Sequence, residues 1–159
     1  MVIESKSIPH DEQRMITTGD WWFDKLETNR RVVQETLRIR VSKMPDERYE
    51  QLVAVHEIIE ALLCKQHGIA EERVSEFDKL YEDARPGTHY AMRCLEAHEA
   101  LEVEFGCACE ITGESEPGDD KHSPYYKEHQ IATGVERILA AELGVSWQAY
   151  ERANLDLYK

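Results

Sequence analysis

At Met44-Pro45-Asp46 the hydrophobic period of this chain changes, and that change restricts the folds open to it. Before it, Leu37, Ile39 and Val41 alternate with Arg38, Arg40 and Ser42, the two-residue period of a strand with one buried and one charged face. After it, apolar residues recur at three- and four-residue spacing, in segments that close on a glycine or a proline. Asp46 can cap the first helix, with Glu47 and Glu50 in a first turn where the helix dipole favours acids, and Gly68 ends it after about Gln66. Further helices are predicted over about 71–84, 88–105 and 124–143, followed by a short helical tail around 146–150. Upstream, Asp20-Trp21-Trp22-Phe23-Asp24 reads as a short aromatic strand, joined to a strand over 32–41 by a polar turn at 27–30.

Two strands so joined make an antiparallel hairpin, marginal alone and in need of helices to lie against. The expected fold is therefore α+β: a short antiparallel β-hairpin packed on a bundle of about four α-helices. Residues 1–20 are polar, with Pro9 and Gly19 as breakers, and are expected to be irregular. Residues 107–124 should form an acidic loop rich in Gly and Pro. At 159 residues, with no internal stretch of linker composition, a single domain over 1–159 is expected.

Thirty-two acids against 19 bases leave a net charge of −13, which repels nucleic-acid phosphates and anionic lipid. Neither nucleic acid nor a membrane is an expected partner. A basic protein surface, a peptide substrate or a bound cation suits the charge, and a homodimer is compatible with it. The N-terminus has no apolar core of a signal peptide, and no segment reaches the ~20 apolar residues of a membrane span. Four cysteines without repeated CxxC spacing (Cys64, Cys94, Cys107, Cys109) point to reduced thiols in the cytoplasm. Cys107 and Cys109 could join a zinc site with His98 or His89, although a lone CxC is a weak signal.

The chemistry concentrates in Val53–Leu63. His56 and Glu60 stand one turn apart on the helix, beside an apolar stripe of Leu52, Ile59, Leu62 and Leu63. A carboxylate brought to such an edge loses hydration worth several kcal/mol unless a cation compensates it. A strand followed by a helix bearing His56-Glu57-Ile58-Ile59-Glu60 resembles the active-site helix of zincin-like metallohydrolases. Their usual form is HExxH, two histidines holding zinc and the glutamate between them serving as general base. The resemblance implies His56 as a metal ligand and Glu57 as the base, with Glu60 standing where those enzymes have their second histidine. It spans about thirty residues, from Leu37 to Gly68. In general character the chain is also similar to small phage-encoded proteins of no assigned function.

The last predicted helix adds to this. Tyr125, His129, Ala132, Glu136, Leu139 and Leu143 define its buried stripe, and two of those six are ionisable. His129 could be the third ligand of a metal held by His56 and Glu60. Glu136 could be a fourth ligand, or the carboxylate that orients a histidine. A bland alternative pairs Glu136 with His129, Arg137 or Arg73. In the third helix, His98-Glu99-Ala100-Leu101-Glu102 repeats the HExxE spacing, read as coincidence in a segment dense in Ala, Glu and Leu, and otherwise as a second ligand set. Asp119 and Asp120 could contribute ligands or close over a site.

Three functions remain. The first is a zincin-like, metal-dependent hydrolase in which His56, Glu60 and His129 hold the ion and Glu57 activates water. Zinc is the expected metal, and manganese, iron or magnesium could be bound by similar ligands. The second is a non-enzymatic acidic interaction or inhibitor protein, with a structural metal or none. The third is a magnesium-dependent nucleotide pyrophosphatase, suggested by Glu57-Ile58-Ile59-Glu60 followed by Glu76-Phe77-Asp78.

Overall fold

The period-two segment becomes the central strand of a three-stranded sheet. In a computed structural model, which describes residues 1–15, 17–28, 31–85, 91–106 and 116–158 (of 91–94 the backbone alone), the strands are β1 (Val2–Ile8), β2 (Gly19–Thr28) and β3 (Arg31–Ser42), in the order β1-β3-β2. Five α-helices follow among the described residues: α1 (Glu47–His67), α2 (Glu71–Ala84), α3 (Ala91–Phe105), α4 (Tyr126–Glu142) and α5 (Trp147–Asp156). The fold is α+β. The chain divides into two compact units, one of Met1–Leu63 with Ile131–Lys159 and one of Cys64–Gln130.

In the first unit, β2 pairs antiparallel with β3, placing Trp21 opposite Ile39 and Phe23 opposite Leu37. Leu37, Ile39 and Val41 are buried, as their alternation requires. On the opposite face Arg38 bonds both Glu4 of β1 and Asp24 of β2, so one guanidinium ties three strands together. The guanidinium groups of Arg14 and Arg40 lie 4.3 and 4.9 Å from the Trp22 ring. The first-unit strands thus bury one face and charge the other.

Residues 1–20 are not irregular throughout, because β1 pairs parallel with β3 from Val2↔Thr36 to Ile8↔Ser42. An edge strand exposed from Val2 to Lys6 carries no alternation to read; backbone pairing with β3 makes it. Ser146 caps α5, its hydroxyl accepting from the Ala149 amide, and α5 runs well past the tail expected at 146–150.

The second unit is helical. Val74, Phe77 and Tyr81 of α2 are buried, and Phe77 meets Phe105 of α3 edge to face at 4.9 Å. Gly68 and Gly106 follow α1 and α3 with φ of +74° and +70°, the left-handed turn that glycine takes without strain. Among the described residues no helix is long and apolar enough to cross a membrane.

Candidate metal centre

Helix α1 carries its polar pair inward: His56 is 8% exposed and Glu60 5%. Both belong to a line of five side chains in the first unit. The Trp21 indole N–H on β2 donates to Glu60 Oε1 at 2.9 Å. Glu60 Oε2 faces His56 Nε2 at 3.4 Å. On the other side of the ring, His56 Nδ1 meets Glu136 Oε2 of α4 at 3.1 Å. The hydroxyl of Tyr150 on α5 donates to Glu136 Oε1. All five are buried, so each polar atom in the line answers a desolvation penalty of its neighbour.

The two edges of the imidazole differ. At 3.1 Å the Nδ1 contact is a hydrogen bond, whereas 3.4 Å on the Nε2 side lies beyond the usual N–H···O range of about 2.7–3.2 Å. Two ligands each about 2.1 Å from a tetrahedral zinc ion stand about 3.4 Å apart. A carboxylate on Nδ1–H fixes the tautomer that presents the Nε2 lone pair, the usual support of a metal-ligating histidine. Burial alone would lower the His56 pKa, but the Glu136 and Glu60 carboxylates on its two sides outweigh it and hold the imidazole well above its ordinary value. With both carboxylates ionised, a proton on His56 leaves the group at −1. A divalent ion on a neutral imidazole leaves it uncharged.

Glu57 follows one residue later, turned about 100° around the helix, and is half-buried. Its carboxylate lies against Gly19 at the start of β2, where a Cβ would fall upon it. The buried row of α1 is Leu52, Val53, His56, Glu60, Ala61 and Cys64, while Ile59, Leu62 and Leu63 are half-buried. The helix is therefore rotated from the orientation its leucines suggest. Trp21 supplies the reason, since its indole N–H gives Glu60 a buried partner on the sheet side.

His129 belongs to the second unit and is 7% exposed. Its Nε2 lies 3.6 Å from Asp119 Oδ1 and 3.9 Å from Glu116 Oε2, both carried by the turn before α4. Elsewhere in the second unit, the Tyr125 hydroxyl donates to Asp78 Oδ1 at 2.5 Å, His67 Nδ1 meets Glu128 Oε1 at 2.6 Å and Glu82 pairs with Arg85 at 2.6 Å.

The structure thus unites His56, Glu60 and Glu136, sets Glu57 against Gly19, and gives His129 carboxylate neighbours of its own. Arg137 approaches Glu151 and Arg73 bonds Glu76, so neither takes the role of partner to Glu136. The carboxylates of the pyrophosphatase reading are engaged separately: Glu60 by Trp21, Glu76 by Arg73, Asp78 by Tyr125. On α3, Glu99, Glu102 and Leu95 are exposed, while Ala97 and Leu101 are buried. Among the described residues no group of three candidate ligands includes His98. His89, Cys107 and Cys109 lie outside the described residues.

In the sequence Trp21 stands in a short aromatic strand and Tyr150 in the helical tail, and neither is legible as a hydrogen-bond partner of a buried carboxylate. Their polar atoms signal nothing until β2 and α5 are placed. Comparisons of the chain with protein-family models, with curated proteins and with solved structures find no match.

Proposed function

We propose that the protein is a metal-dependent hydrolase of zincin-like type, with His56 Nε2 and Glu60 Oε2 holding the ion. The observation that carries this reading is the 3.4 Å edge between those two atoms, with the far side of the imidazole anchored on Glu136. The donor set, an imidazole nitrogen with a carboxylate oxygen, fits zinc and leaves manganese or iron within range. The third ligand is taken from the sequence: His129, two turns before Glu136 on α4. When bound, the ion supplies a Lewis acid and water ionisable near neutral pH.

The chain's own residues have separable tasks. Trp21 holds Glu60 by one oxygen and so directs the other toward His56. Glu136, itself held by Tyr150, orients the imidazole. Glu57 would accept a proton at its carboxylate, the role of the corresponding glutamate in HExxH enzymes. A peptide or ester is the substrate class that goes with this chemistry, and a cytoplasmic setting goes with reduced cysteines.

Elemental analysis of untagged protein, beside His56→Ala and His129→Ala, tests the ligands. After exhaustive dialysis, which strips any readily exchanging ion, one zinc, manganese or iron per chain, lost in both variants, is expected. Glu57→Gln should retain the ion and lower esterase or peptidase turnover by roughly 10²–10⁴. No bound ion, together with no rise in thermal stability on adding zinc, would overturn the reading.

A second reading has one observation in its favour. His56, held charged between Glu60 and Glu136, makes a complete ion-pair cluster without a metal. In that case the first unit is scaffolding, and the −13 charge points to an interaction protein for a basic surface. His56→Ala would then alter stability and leave partner binding unchanged.

A further inference from the structure

The segment before α4 has features that the hydrolase reading does not use. Glu116-Pro117-Gly118-Asp119 forms one turn of 3-10 helix, closed by the Asp119 amide donating to the Glu116 carbonyl at 3.1 Å. That turn sets two carboxylates on one side and buries Pro117 and Gly118. Gly118 lies directly against the imidazole of His129, and a Cβ at that position would fall on the ring. Glycine is therefore what allows the ring to lie against the carboxylate-bearing turn. Tyr125 meets the ring edge to face at 6.2 Å, so the imidazole is held by Gly118 and by an aromatic neighbour.

Thus fixed, the ring presents Nε2 to Asp119 Oδ1 at 3.6 Å and to Glu116 Oε2 at 3.9 Å. Both distances exceed an N–H···O bond of about 2.7–3.2 Å. They suit three donors around a common centre, and the three ligand atoms lie within 4.8 Å of one another. Gln130, the residue after His129, donates from Nε2 to Asp119 Oδ1 at 2.9 Å and steadies that carboxylate. The burial is graded: a nearly buried nitrogen beneath, with the carboxylate of Asp119 exposed and that of Glu116 partly so. One side of the group is open to water, which would complete the coordination of a small cation.

We propose that Glu116, Asp119 and His129 form a site for a divalent first-row transition-metal ion, which fills without His56 and Glu60. One imidazole nitrogen with two carboxylates suits Mn²⁺, Fe²⁺ or Zn²⁺ better than Ca²⁺, which prefers oxygen alone. Two carboxylates and a neutral imidazole bring a charge of −2, which the ion neutralises. Because the carboxylates reach it from the surface, the ion exchanges readily with solution. The proposal does not rest on the hydrolase reading; the two share His129, whose Nε2 serves one ion at a time, so an ion held by Glu116 and Asp119 competes there with one held by His56 and Glu60.

Mn²⁺ titration followed by electron paramagnetic resonance, which reads the free hexaaqua ion, tests this in the full chain. The His56→Ala/Glu60→Gln protein should still take up one Mn²⁺ per chain. Adding Glu116→Gln and Asp119→Asn should weaken that uptake by more than roughly tenfold, the loss that even an outer partner of a metal ligand can cause. Should the His56→Ala/Glu60→Gln protein fail to fold, Glu116→Gln/Asp119→Asn in the otherwise unchanged chain decides the matter, because both side chains lie at the surface. Loss of one equivalent, or a tenfold fall in affinity, supports the site. No uptake by a folded His56→Ala/Glu60→Gln protein overturns it, and so does uptake indifferent to Glu116 and Asp119. The hydrolase reading is judged separately, by zinc content in wild-type protein and in His56→Ala.

Discussion

Each unit of this protein sets a histidine among carboxylates, and the two groups are built on different terms. In Met1–Leu63 with Ile131–Lys159, His56 lies between Glu60 and Glu136, with Trp21 and Tyr150 beyond them, all buried. In Cys64–Gln130, His129 is buried but its carboxylate neighbours, Glu116 and Asp119, reach it from the surface. Water shields the second group whether or not a cation is present. The first has little water, so each charge there depends on the next, and removing one exposes the desolvation of the others. The same residue types thus make a cluster bound up with folding in one unit and a cluster nearly independent of it in the other.

The largest effect expected from that contrast is at His56. His56→Ala leaves Glu60 and Glu136 facing each other across a cavity and should destabilise metal-free protein by about 3–5 kcal/mol, measured by denaturant unfolding. A loss below about 1 kcal/mol would mean that the first cluster is as well hydrated as the second, and the contrast would fail.

Titration removes the His56 charge without removing the ring and should act in the same direction, less severely. The folded-state pKa of His56 is raised, so its stabilisation is fully present below the unfolded value near 6.5 and is lost as pH climbs through the folded value. Metal-free protein should therefore lose stability as pH rises above neutrality, and His56→Ala should abolish that slope. Zinc binding displaces the Nε2 proton, so zinc affinity should rise over the same range. Opposite pH trends for stability and zinc affinity would join the two readings of His56 in one titration.

Tyr150→Phe comes next. It removes a buried donor to the Glu136 carboxylate and leaves the ring, for a loss of about 1.5–3 kcal/mol by thermal or chemical unfolding. Gly118→Ala tests the packing beneath the second cluster. Its methyl meets the His129 ring and should cost about 1–2 kcal/mol, within the overpacking range. Gly19→Ala should cost less, since the Glu57 carboxylate it meets ends a flexible side chain. The smallest effect belongs to Glu116→Gln/Asp119→Asn, within about 0.5 kcal/mol in metal-free protein. A larger loss would show that the surface carboxylates are structural after all.

The fold was legible where a period was strong and a terminus was marked. α2 occupies 71–84 as expected, and α1 ends at Gly68, whose positive φ is the reason a glycine stands there. β3 was legible from Leu37, Ile39 and Val41. β1 was not, because an exposed edge strand has no buried face to impose alternation. At the candidate site, desolvation logic applied to helical spacing singled out His56, Glu60, His129 and Glu136, and all four are buried. It could not assign partners. Glu136 stands eighty residues from His56 in the chain, and nothing local distinguishes it from an arginine's partner. Asp119 is legible in the sequence as a candidate ligand and Glu116 is not, because an acidic residue in a polar loop looks the same whether or not a histidine is held near it.

What the amino-acid sequence determined by itself was local: helix ends marked by Gly and Pro, the buried face of β3, and the ionisable residues that helical spacing turns inward. Those follow from backbone sterics and hydrophobic period, which act over a few residues. Tertiary structure decided which atom of each buried group meets which partner. The 3.4 Å edge between His56 and Glu60, the Trp21 and Tyr150 anchors and the Gly118 cradle under His129 arise from segments far apart in the chain. A buried charge must be answered by some partner, but long-range packing chooses which one, and the period of a single helix carries no record of that choice.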